Sequence, residues 1–153
     1  MSLDTVIAVG LALVLGIASV IDFRTMILPD RITLPLIPLG WAMAALQAPD
    51  LVDRLIGAAA GFAAFAAIAA LYRRLRGRDG LGLGDAKLLS AAGAWVGWAG
   101  LPSVVLLGSV TSLAWALATR RDPEQPLPFG PFLAASFWIV WRFGRLTIDY
   151  TIP

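Results

Sequence analysis

Apolar residues occur in six long blocks along this chain, separated by short polar segments. The blocks run from Thr5 to Ile21, Ile32 to Leu46, Leu55 to Tyr72, Leu88 to Leu101, Ser103 to Ala118 and Phe129 to Phe143. A membrane-crossing helix needs about 20 mostly apolar residues, and shorter runs are tolerated where flanking side chains reach the interface. The pattern therefore predicts an all-α, polytopic membrane fold of about six transmembrane helices. The second and fourth blocks are the short ones, and Pro35 and Pro38 interrupt the second, so a kink or a re-entrant stretch is expected there. The first block lacks the basic leading region of a signal peptide and runs straight into DFRTMILPDR, which predicts a retained helix. In the third block, Gly57 and Gly61 make a GxxxG step suited to close helix packing.

Composition points the same way. The 153 residues are 59% hydrophobic and 14% charged, with mean hydropathy +0.80, against about 25% charged residues in ordinary soluble domains. One membrane-embedded domain over residues 1–153 is the simplest organisation. The chain has no Cys and no His, which removes Ser-His and Cys-His catalysis and the usual nitrogen and sulfur ligands of zinc. Carboxylate, lysine, hydroxyl and backbone groups remain for chemistry, and no cofactor or metal is called for.

The net charge of +2 is explained by its distribution. Arg24 and Arg31 follow the first block; Arg73, Arg74, Arg76, Arg78 and Lys87 follow the third; Arg120 and Arg121 follow the fifth. Only Arg54, Arg142 and Arg145 fall in the alternate segments. The positive-inside rule then places the nine-charge side in the cytoplasm and both termini outside, with the lipid bilayer as partner and no role for nucleic acid.

Two acidic residues stand at the edges of apolar blocks on that side. Asp22 closes the first, within SVIDFRT, and Asp85 opens the fourth, within GLGLGDAKLLSAAGAW. Carboxylates in or near hydrocarbon are costly. If helix packing brings the two together they cannot both ionise easily, and the pair can share a proton, which gives an acid and a base in one place. Gly80, Gly82 and Gly84 would allow unusual dihedrals before Asp85 and close approach of an extended substrate. The plainer alternative is that Asp85 is a helix N-cap, that the glycines make a turn and that Asp22 pairs with Arg24.

Three segments carry a family resemblance: IDFRTMILPDRITLPLIPLGW, GRDGLGLGDAKLLSAAGAWVGWAGLP and PLPFGPFLAASFWIVW. In order and spacing they resemble the signature blocks of the type IV prepilin peptidases, including the GxGD motif, Gly82-Leu83-Gly84-Asp85, shared with presenilin-like intramembrane proteases. The resemblance implies a membrane aspartyl endopeptidase of the bacterial inner membrane with its active site on the cytoplasmic side. Asp22 and Asp85 would be catalytic. Asp30 would be structural or substrate-orienting, and Lys87 would either tune Asp85 or snorkel to the interface. Pro128, Gly130 and Pro131 of the PFGP turn would position substrate or start a helix rigidly. The implied substrates are type IV prepilin, Flp-type prepilin or pseudopilin precursors of pilus and type II secretion systems, cut after a leader glycine at the membrane boundary. Asp30 and Asp79 could meet the basic leader. Many larger members carry an additional N-terminal region, often with paired cysteines binding zinc, that is associated with methyl transfer. This sequence begins almost at the first span, so peptidase activity without methyltransferase activity is expected.

Two rival readings remain. Lys87 and Ser90, at i and i+3, could form a Ser-Lys dyad. Alternatively, Asp22 and Asp85 could bind cations or relay protons in a small transporter or channel component.

Overall fold

The computed structural model describes residues 2–47, 50–77, 82–120 and 127–144. Those residues form six helices: α1 (Leu3–Thr25), α2 (Asp30–Gln47), α3 (Leu51–Arg76), α4 (Leu83–Val96), α5 (Leu101–Ala118) and α6 (Gly130–Phe143), with a 3-10 turn at Trp98–Gly100 before α5. Among the described residues there is no strand. Arg78, Asp79, Gly80, Arg121 and Arg145, which enter the sequence reasoning, lie outside the described residues.

Three helical stretches are long and apolar enough to cross a membrane: Leu3–Thr25, Leu51–Leu75 and Trp98–Ala118. With 14 residues each, α4 and α6 reach only about 21 Å at 1.5 Å per residue, less than a hydrocarbon core of about 30 Å. The expected six helices are present, and three of them meet the requirement for a span. Large apolar side chains such as Leu13, Leu106 and Leu117 point outward, as lipid-facing residues do. The prolines do not break the second element: α2 is one helix through Pro35 and Pro38. Most boundaries also differ from the apolar blocks, chiefly because α1, α3 and α4 continue into flanking charged or glycine residues and the fourth block ends in the 3-10 turn.

The short helix α4 lies at the centre. Ala86, Leu88, Leu89, Ala91, Ala92, Ala94 and Trp95 on it are buried, and α2, α3 and α6 pack around it. Small residues make this possible. A Cβ on Gly61 would lie 2.6 Å from the Leu89 carbonyl oxygen, one on Gly57 would lie 2.6 Å from the Gly93 oxygen, and one on Gly93 would meet the Gly57 backbone. The GxxxG step thus holds α3 antiparallel against α4 at backbone contact. Indole donors tie the other helices: Trp95 Nε1 donates to the Leu36 carbonyl at 2.7 Å, and Trp138 Nε1 to the Ala8 carbonyl at 2.9 Å.

These contacts set the directions of the helices. The C-terminal ends of α1, α3 and α5 share one end of the bundle with the N-terminal ends of α2, α4 and α6. Arg24, Arg31, Arg73, Arg74, Lys87 and Arg120 are at that end, while Arg54 and Arg142 are at the other.

Candidate active site

Asp22 lies in the last turn of α1 and is buried. The helix stops four residues later at Met26, whose N–H donates to the Asp22 carbonyl at 2.8 Å and whose φ of 56° is left-handed. A non-glycine residue in that region costs about 1 kcal/mol or more. The turn sends Ile27, Leu28 and Pro29 across to α2 and so builds a wall beside Asp22.

Gly82 takes the N-cap position of α4 with extended backbone, and Asp85 falls in the first turn, its N–H donating to the Gly82 carbonyl at 3.1 Å. Because Gly82 is the N-cap and Asp85 stands inside the first turn, Asp85 is not itself the N-cap. Gly82 has an ordinary φ of −71° and Gly84 is helical, so neither supplies an unusual dihedral. Gly84 matters through closeness: a Cβ there would sit 2.9 Å from Leu28 Cβ. The buried Leu28 side chain also touches the other wall, since a Cβ on Gly130 would lie 3.0 Å from Leu28 Cδ1. Leu28 is therefore a wedge between the starts of α4 and α6.

A cavity of about 280 Å³ opens between these elements, lined by Asp22, Met26, Ile27, Leu28, Asp30, Gly82, Leu83, Gly84, Asp85 and Lys87. The structure thus brings together Asp22 and Asp85, 63 positions apart in the chain. Asp85 lies outside the three membrane-spanning stretches. Burial, followed by the Asp22 charge, pushes its carboxyl up to about 7. Asp22 accepts a hydrogen bond from the Gly130 backbone, and a Cβ on Gly130 would lie 2.6 Å from Asp22 Oδ2. One carboxyl is thus held as an acid near neutral pH, beside a second whose oxygen is oriented by a backbone donor. Such a pair can take a proton from water and give one to a carbonyl oxygen.

Lys87 Nζ is 2.6 and 2.7 Å from the two Asp30 oxygens. It is engaged with Asp30 across the cavity mouth, where the sequence suggested tuning of Asp85 or snorkelling. This pair ties the start of α2 to the first turns of α4. Pro128 is buried, and Gly130 and Pro131 start α6. Neither proline lines the cavity, and Gly130 reaches it through its contact with Asp22. Ser90 faces a different cavity with Ile37, Trp41, Ala58 and Phe62, so no shared site joins it to Lys87. Leu28 and Met26 were missed by sequence reasoning. Pro29 restricts the backbone after Leu28 but gives no sign of the wedge.

The chain matches the family model described as "Type IV leader peptidase family" over residues 9–117, a range that includes Asp22, Asp30, Asp85 and Lys87. It is similar to proteins named "Prepilin leader peptidase/N-methyltransferase". With the one from Xanthomonas campestris pv. campestris it shares 39% identity over 148 residues, covering 93% of this chain and 51% of the relative. With that of Burkholderia pseudomallei K96243 it shares 46% over 146 residues, covering 90% and 46%. With that of Dickeya chrysanthemi it shares 44% over 124 residues, covering 76% and 43%. The chain spans about half the length of the curated relatives it matches. No solved structure matches it. A family match over most of the chain, on a helical fold that gathers the matched acidic residues around one cavity, leads to one assignment: the chain belongs to the type IV leader peptidase family.

Proposed function

We propose that this protein is a membrane aspartyl endopeptidase that removes the leader from prepilin or pseudopilin precursors, with Asp22 and Asp85 as its dyad. The observation that carries the reading is the shared cavity, in which burial and the Asp22 charge keep the Asp85 carboxyl protonated to about pH 7. In the reaction, Asp22 as carboxylate accepts a proton from water while the oxygen of that water bonds to the scissile carbonyl carbon. Asp85 donates its proton to the carbonyl oxygen as it becomes tetrahedral. Collapse of the intermediate breaks the C–N bond: one hydroxyl of the gem-diol returns its proton to Asp85 as the new carboxyl forms, and the proton held by Asp22 passes to the leaving amine. Gly130 N–H orients the Asp22 carboxylate. The substrate class is supported by the names of the relatives. The basic residues gathered at the dyad end support a cytoplasmic orientation of the site in the inner membrane. The transporter alternative has no comparable support.

The test is incubation of the purified protein in lipid nanodiscs with a panel of prepilin and pseudopilin precursors, with the products read by mass. The reading expects one cut that releases the leader, and unchanged cleavage by Ser90→Ala. If no precursor is cut while proteoliposomes show Asp85-dependent ion flux, the peptidase reading fails.

A further inference from the structure

Roughly 15 Å along α4 from Asp85, at 1.5 Å per residue, a second cavity of about 330 Å³ opens at the opposite end of the bundle. Arg54, Trp95, Val96, Gly100, Val140 and Trp141 line it. It forms where the last turns of α4 and α6 meet the first turn of α3. Arg54 donates to the Trp95 carbonyl, which satisfies one exposed acceptor at the α4 C-terminus. That is the single bond the guanidinium makes among the described residues, and it has no ion-pair partner there. An arginine carries five N–H donors in a fixed fork that matches phosphate and carboxylate. Capping α4 therefore leaves most of the fork directed at a cavity with indole walls.

We propose that this cavity binds the phosphodiester headgroup of an anionic membrane lipid. Arg54 takes the phosphate oxygens, and Trp95 and Trp141 pack the glycerol and the first acyl carbons. The charge inside the cavity sets the sign of the ligand: Arg54 is the charged residue in its lining and has no ion-pair partner among the described residues, while Asp53, whose carboxylate lies against Gly97, does not line it. Depth sets its source. Arg54 lies in the first turn of the apolar stretch Leu51–Leu75, which puts its guanidinium at the level of headgroups, where tryptophan also concentrates. A free phosphate would gain nothing from the apolar walls, whereas a lipid uses both the cation and the indoles. The site is separate from the dyad, so its occupancy can be measured without reference to cleavage.

The experiment titrates the detergent-purified full chain with phosphatidylglycerol, phosphatidylcholine or soluble glycerol phosphate, with binding read by native mass spectrometry and by thermal shift. Wild-type protein is expected to bind phosphatidylglycerol in preference to phosphatidylcholine. Arg54→Gln should weaken that binding about ten- to a hundredfold, the range for a hydrogen bond to a charged group, and Arg54→Lys should weaken it less. Trp141→Phe, which leaves the α4 cap untouched, should also weaken it and covers the case in which Arg54→Gln fails to fold. Equal affinity of folded Arg54→Gln and wild type would overturn the proposal. So would a shift with glycerol phosphate as large as with the lipid, because the ligand would then be a free phosphate.

Discussion

Replacing Asp85 with Asn should make the folded protein more stable while removing the proposed reaction. Asp85 is displaced from the ordinary carboxylate value of 3.8 to about 7. About three pH units of displacement correspond to roughly 4 kcal/mol at about 1.4 kcal/mol per unit, a ceiling that water entry reduces. The sign follows from proton binding. Between about pH 4 and pH 7 the folded state holds a proton that the unfolded state has lost, so stability falls as pH rises through that window and levels off above it. Asparagine has nearly the same shape and no charge to bury, so it escapes this loss. Asp85→Asn and wild type should therefore be about equally stable below pH 4, and the variant should lead by about 1–4 kcal/mol at pH 8. Equilibrium unfolding in mixed detergent micelles, followed by tryptophan fluorescence from pH 4 to pH 8, reads the difference directly. A difference that stays flat across this range would refute the claim that burial and Asp22 together hold Asp85 protonated.

Gly130→Ala places a methyl 2.6 Å from Asp22 Oδ2; a shift of about 1 Å in a catalytic group can cost a hundredfold in rate, so cleavage assays should show a loss of that order while circular dichroism shows a retained fold. Gly93→Ala pushes a methyl into the Gly57 backbone, whereas Gly16 has nothing within 4 Å; unfolding measurements should give a loss of about 1–3 kcal/mol or more for the first and little change for the second. Asp30→Asn and Lys87→Met break a pair in which the Asp30 side chain is 53% exposed, so each should change stability by less than about 1 kcal/mol in the same assay.

Much of the fold is legible in the sequence because its signals are local. The long apolar runs of α1, α3 and α5 announce themselves, and Asp22 and Asp85 stand out because each ends or begins such a run. The Gly57–Gly61 step is readable because close helix packing needs small residues at that spacing. What stays hidden is what depends on partners distant in the chain. Lys87 could be seen to carry a cation near Asp85, but its pairing with Asp30 depends on how α2 packs on α4. Gly130 looks like a helix starter, and its contact with Asp22 depends on α6 running antiparallel to α1. Met26 shows no sign of a left-handed turn, because a non-glycine residue is forced there only by the need to bring Leu28 into the notch between Gly84 and Gly130. The prolines of α2 are read only in part: breaker residues suggest interruption, and α2 nonetheless runs as one helix through Pro35 and Pro38 while packed on α4.

The most direct test of the central claim, that two acids remote in sequence act as one proteolytic pair, is the single-turnover rate of precursor cleavage by Asp22→Ala and Asp85→Ala, each shown to be folded. A proton-transferring group contributes about 10²–10⁴ in rate, so each variant should fall at least a hundredfold below wild type. Cleavage at the wild-type rate by either folded variant would contradict the account.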